Sequence, residues 1–158
     1  MGKEVCAMNH SVSLPRPAAR AQLRGDETHP NLRGEVLFCP YGRGTLIIAR
    51  AVGLPIPGFL GFHIHANGSC TAGGDVPFAS AGGHYDPHDV PHPWHSGDLP
   101  PLLSSGQGAA LMQVYTDRFR PEEVVGRSVV IHERPDDFRT QPSGDSGSRL
   151  ACGVIEAV

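Results

Sequence analysis

The stretch AARAQLR, residues 18–24, decides the fold. Ala19, Ala21 and Leu23 alternate with Arg20, Gln22 and Arg24. One side is therefore small and apolar and the other polar, with the period of a strand and not of a helix. Working outward, the same kind of segment recurs at Glu35–Cys39, Thr45–Ala51, Gly61–His65, Ala109–Thr116, Arg127–His132 and Leu150–Ile155. Each is short, aliphatic or β-branched, and bounded by Gly, Pro, Asp or Asn. The spacing predicts an all-β chain built as a small antiparallel sandwich or barrel. No window carries a helical stripe of useful length, although 121–126 (PEEVVG) reads as one short helical turn. Two stretches, 67–108 and 133–148, resist strand assignment. Loops of that length inside a domain usually carry function.

At 158 residues the chain suits one domain with a proper core. It holds 20 Gly and 15 Pro, which is loop-rich without reaching the composition of a disordered chain. Thirteen basic residues face 16 acidic ones with no run of like charge, which argues against nucleic acid or a membrane as the main partner. No segment approaches the roughly 20 apolar residues of a membrane span. The start of the chain, MGKEVCAMNHSVSLPRP, lacks the apolar stretch of a secretion signal, so the expected location is cytoplasmic; an exported form already trimmed of its signal reads the same way. The cysteines at 6, 39, 70 and 152 form no C-x-x-C pair, which disfavours zinc-ribbon and thioredoxin readings.

Histidine carries the chemistry. Six of the nine histidines fall between Gly61 and Asp98, and imidazole is the commonest side-chain ligand for transition metals. In GFHIH, alternation sends Phe62 and Ile64 to one face and His63 and His65 to the other, where two imidazoles can grip one ion. The alternative is a pair of surface histidines beside a buried Phe and Ile. In SAGGHYDP, Gly82 and Gly83 allow unusual backbone just before His84, which alone would be an ordinary turn. In HPWHSGDLP, His92, His95 and Asp98 recur every three residues; with His84 they make three nitrogens and one carboxylate, a set that suits tetrahedral Zn²⁺. His132 ends a strand and joins His63, His65 and His84 as four nitrogen donors, a set that suits tetragonal Cu(II).

The order of motifs GFHIH, NGSC, SAGGHYDP, H-x-x-D-L-P, IHE-x-x-DD and GSRLACGVI resembles the copper-zinc superoxide dismutase family, in its bacterial form, over residues 18 to 158. The resemblance implies an antiparallel Greek-key β-sandwich or flattened barrel with two long functional loops, an architecture for which this family is a standing example. It implies superoxide as substrate, converted to dioxygen and hydrogen peroxide by a His-ligated copper, with a structural zinc. By resemblance, His63, His65, His84 and His132 bind copper, and His84, His92, His95 and Asp98 bind zinc, so that His84 serves both ions. Asp136 matches the carboxylate that links a copper histidine to a zinc histidine, whereas Asp137 reads as a solvated loop acid. Arg149 matches the guanidinium that draws the anion to the copper, and Cys70 and Cys152 match the family's disulfide.

The chain departs from that pattern in places. Only Pro93 and Trp94 separate His92 from His95, fewer residues than most members of the resembled family place there, so the zinc loop reads as pruned; His88 competes with His92, and the family's wider spacing after the bridging histidine favours His92. Residues 1–17 read as a poorly ordered extension outside the domain, Cys39 as a small apolar strand residue and Cys6 as an unassigned thiol. The assembly is left open between monomer and homodimer. A non-catalytic metal-binding or copper-delivery module on the same fold is the other reading; the presence of all four copper histidines and Arg149 weighs against it. A cupin-like oxygenase is disfavoured because Ala66, Asn67, Gly68 and Ser69, and no Glu, follow His65.

Overall fold

Alternating burial from Ala19 to Arg24 realises the period-two pattern as β1 (Ala19–Gly25). The structure is a computed structural model that describes residues 15–55 and 57–158. The remaining strands are β2 (Arg33–Tyr41), β3 (Gly44–Val52), β4 (Gly58–Leu60), β5 (Phe62–His65), β6 (Leu102–Ser104), β7 (Ala109–Thr116), β8 (Ser128–His132) and β9 (Arg149–Ala157). The expected turn at 121–126 is a single helical turn over Pro121–Val124.

Seven strands pair in the order β5-β8-β9-β1-β2-β3-β7, every neighbour antiparallel. Strands β4 and β6 form a separate antiparallel ribbon that spans the open side. It is continuous with the sheet at both ends. Gly61 alone separates β4 from β5, and a tight turn joins β6 to β7, with the Ser105 N–H donating to Ala109 O at 2.8 Å. The result is a flattened barrel, crossed by the chain from β3 to β4 and from β7 to β8 in Greek-key fashion. Strands β4 and β6 escape the pattern analysis because three residues are too few to show a period, and β6 shortens the first expected loop, which ends at Pro101.

Inside the barrel, Phe38, Ile47, Leu60, Phe62, Ile64, Val129 and Ile131 pack with the small residues Ala19, Ala21, Ala49 and Ala151. Register explains which side chains enter this core. Phe62 pairs with Ile131 and Ile64 with Val129, all inward, so His63 opposite Val130 and His65 opposite Ser128 face outward. Outward does not mean exposed here. All four residues of β5 are buried, which corrects the surface-histidine alternative. The connections 66–101 and 133–148 fold back over this outer face. Beneath them Val130 packs with Phe78, Ala81 and Cys152 in a second, smaller core. The Cys70–Cys152 disulfide fastens the first connection to β9.

Cys39 is buried, as expected of a small strand residue. Cys6 and the first 14 positions of the expected extension lie outside the described residues. Among the described residues no helix is long and apolar enough to cross a membrane.

Truncation of the barrel core and of its outside should separate cleanly. Phe62→Ala is expected to lower unfolding stability by about 3–5 kcal/mol, and Leu111→Ala, 69 % exposed, by no more than about 0.5 kcal/mol. Urea titration of the two variants against the parent checks the contrast.

Candidate metal centre

Between the outer face of the barrel and the two covering connections lie six imidazoles and two carboxylates. Strand β5 supplies His63 and His65, and the end of β8 supplies His132, placed where β8 shifts register between Ile131 and His132 against β9. The first connection brings His84, His92, His95 and Asp98. Its frame is β-like at both ends of the site: His65 bridges to His84, His63 bridges to Asp98, and the Gly97 N–H donates to Tyr85 O at 2.8 Å. Glycine is required at 97, because a Cβ there would stand 2.3 Å from Ile64 O.

Four of the six imidazoles have a hydrogen-bond partner outside the two groups of candidate ligands, which leaves the other nitrogen of each of those four rings facing inward. The Nδ1–H of His65 donates to Gly82 O at 2.9 Å, and the Nδ1–H of His132 donates to Gly147 O at 3.3 Å. Their Nε2 atoms, now both acceptors, face each other 3.2 Å apart. Two lone pairs in that position call for a cation. The Nε2–H groups of His63 and His92 donate to the two oxygens of Asp136, each at 2.9 Å, which leaves Nδ1 of both rings buried without a hydrogen-bond partner. His84 Nδ1 lies 2.6 Å from Asp98 Oδ1, while its buried Nε2 also has no partner.

Two groups of potential ligand atoms result: His63, His65, His84 and His132, and then His84, His92, His95 and Asp98. In each, the atoms lie within 4.8 Å of one another. Ligands about 2.0–2.1 Å from a common ion span about 4 Å at most, so each group needs only a slight contraction. Four imidazoles suit copper, and three imidazoles with a carboxylate suit zinc. His84 stands in both groups. His88 is exposed and in neither, whereas His92 is buried and central.

Electrostatics point the same way. Burial, with the neighbouring His84 and His132, pushes His65 down to about 2, and burial pushes His84 down to about 4 against the pull of Asp98. Burial together with His63 holds His132 well below its ordinary value. All three are neutral at physiological pH, the state that binds metal. Burial opposes charge on Asp136, but hydrogen bonds from His63, the Phe138 N–H and His92 hold it at about 2. Burial likewise opposes charge on Asp98, which the hydrogen bond from His84 keeps below the usual carboxylate range.

The site opens on a cleft of about 470 Å³ lined by His65, His84, His132, Gly147 and Arg149. Arg149 is half-buried. It donates from Nη1 to Phe78 O at 2.5 Å and from Nη2 to Gly82 O at 2.6 Å, which fixes the guanidinium plane at the cleft wall. Thus His63, His65, His84, His92, His95, Asp98, His132, Asp136 and Arg149 gather here, while His88 stays outside. What the sequence could not indicate are the backbone carbonyls of Phe78, Gly82 and Gly147, which no side-chain identity encodes. Gly144 was equally unmarked: it has a positive φ of 68°, and a Cβ there would stand 2.0 Å from Asp136 Oδ1 and 2.7 Å from His92 Nε2.

Fold and side chains together define a class: a β-barrel with room for two ions that share one histidine. Residues 32–155 match the family model described as copper/zinc superoxide dismutase. A Cu-Zn superoxide dismutase of Deinococcus radiodurans is 37% identical over 169 residues, covering 96% of this chain and 91% of that protein. A second such enzyme, from Aquifex aeolicus, is 34% identical over 143 residues, covering 79% and 82%. Among solved structures, the Cu/Zn superoxide dismutase from Brucella abortus superimposes with a TM-score of 0.78 at 32% identity, covering 87% of this chain and 99% of that one. This chain belongs to the copper/zinc superoxide dismutase family.

The depressed histidines make the metal-free fold acid-sensitive. Their folded values lie below an unfolded value of about 6.5, so the unfolded chain binds more protons below that pH. Their contribution is complete above about pH 6.5 and is lost as pH falls toward the folded values of His84 and His65, about 4 and about 2. Each histidine should cost up to about 1.4 kcal/mol per pH unit in that window. Urea unfolding of chelator-treated protein should therefore show a lower midpoint at pH 5.5 than at pH 7.5; equal midpoints would contradict the assignment.

Proposed function

We propose that this protein is a superoxide dismutase, turning two superoxide ions and two protons into dioxygen and hydrogen peroxide. In this reading copper is held by His63, His65, His84 and His132, and zinc by His84, His92, His95 and Asp98, within a single domain over residues 18–158. The observation that carries it is the double commitment of His84, whose Nδ1 meets Asp98 while its Nε2 lies buried without a partner on the side of the other group. When bound, copper supplies reversible one-electron transfer and zinc supplies fixed positive charge.

The chain's own residues prepare that chemistry. Gly82 O and Gly147 O fix the His65 and His132 tautomers, and Asp136 fixes those of His63 and His92. Nε2 of His84 is the atom suited to hold a proton on the copper side. Arg149 spends two of its five N–H donors on backbone carbonyls and presents the rest of a planar cation to an entering anion. Because the chain as a whole is at −3, attraction of superoxide rests on this local charge; the family is itself a standing example of such steering. A built anion site beside the copper group favours turnover over a delivery module.

The disulfide favours a compartment in which thiols oxidise over the cytoplasm. For assembly we favour a homodimer, with the cross-strand pair Phe59 and Leu103 of the β4–β6 ribbon offering an exposed apolar patch.

Elemental analysis should find about one Cu and one Zn per chain. Superoxide dismutation should vanish on copper removal and return on copper addition; zinc alone with no dismutation would defeat the reading. Arg149→Ala should slow turnover about tenfold or more while both metals stay bound, since loss of one charge-assisted contact is worth about 1.5–3 kcal/mol. Stopped-flow superoxide decay beside metal analysis reads both quantities.

A further inference from the structure

The loop over residues 86–98 has to hold His92, His95 and Asp98 in place with little structure of its own. Within residues 86–98 its hydrogen bonds are local: the Asp86 carboxylate accepts from the His88 and Val90 N–H groups, Trp94 N–H donates to Pro91 O, and His95 N–H donates to Asp98 Oδ2. From Gly97 onward the loop is stitched to Tyr85 and, through Ile64, to β5. The part before that is not. Among the described residues, every hydrogen bond joining the backbone of 86–96 to another part of the chain comes from two side chains, Gln141 and Arg118.

Gln141, in the second covering connection, pairs with His92 as a strand would. Its Oε1 accepts from the His92 N–H at 3.0 Å and its Nε2 donates to the His92 carbonyl at 2.7 Å. Arg118 reaches in from the other side. Its Nη1 donates to His95 O at 2.9 Å and stands 3.3 Å from both Pro93 O and Asp98 O. The base of Arg118 is firm, because the neighbouring Phe119 is buried and its carbonyl accepts from the buried Thr45 hydroxyl at 2.9 Å. One clamp thus grips the backbone at the first ligand of the loop, the other at the second and third.

We propose that Gln141 and Arg118 are positioning residues for the zinc site, a two-sided clamp that orders 92–98 before the ion arrives. This rests on the zinc assignment above. Neither side chain touches a ligand atom; both act on the backbone that carries the ligands. Without them, zinc binding must itself order the loop, and that entropy is subtracted from affinity.

Zinc affinity of the full chain, measured by competition against a chromogenic chelator, tests this with Arg118→Met, Gln141→Met and the double variant. Each single change should weaken zinc about tenfold and the pair about a hundredfold, the range found when outer contacts of a metal site are removed. Arg118→Lys should recover most of the single loss. Copper affinity, carried mainly by His63, His65 and His132 on the barrel and its edge, should change by less than about threefold, which a general loss of fold would not permit. A double variant binding zinc within twofold of the parent overturns the clamp, as does a parallel fall in copper affinity. Parent protein that binds no zinc would instead overturn the zinc assignment beneath it.

Discussion

Two oxygens of one carboxylate, each 2.9 Å from a different imidazole, hold the whole centre in register. Asp136 fixes the protonated nitrogen of His63 on the barrel and of His92 on the covering loop, so the opposite nitrogens of both rings are left to face inward. It is buried and charged, and such a group is tolerable only with its hydrogen bonds complete. Three donors meet that need: the two histidines and the Phe138 N–H at 2.7 Å. The surrounding loop is shaped to permit this contact, down to a glycine at 144 where any side chain would collide with the bridge.

From this bridge follows the division of labour in the fold. The barrel interior is apolar and makes no use of the histidines. The chemistry sits on the outside of the same strands, roofed by loops that bring their own small core around Val130 and the disulfide. Burial of the roof makes His65, His84 and His132 reluctant to take protons, and three neutral imidazoles in a tight group are poor company until a cation joins them. The site is therefore built at some cost to the empty protein, as expected where function and stability compete.

How much of this could be read from the sequence varies by element. Strand alternation in residues such as Ala19, Ala21 and Leu23 exposes seven strands, because a half-buried strand must alternate. It hides β4 and β6, which are too short to repeat. The histidines declare themselves by type, and their order carries the family resemblance; His92 stands out over His88 only through spacing. Burial of His63 and His65 was not readable, since alternation gives the face of a strand and says nothing of what folds over it. Nor were the contributions of Gly82 O, Gly147 O, Arg118 and Gln141, which act through backbone groups common to every residue.

The carbonyl of Gly82 has a further bearing. It accepts from His65 Nδ1 and from Arg149 Nη2 at once, so a copper ligand and the anion trap hang from a single peptide unit. Neither can drift without the other. Residues 72–76 are exposed, but the few residues from Phe78 to Gly82 are not, and an evolutionary lineage that rebuilt this turn would have to relocate metal grip and substrate entry in the same step.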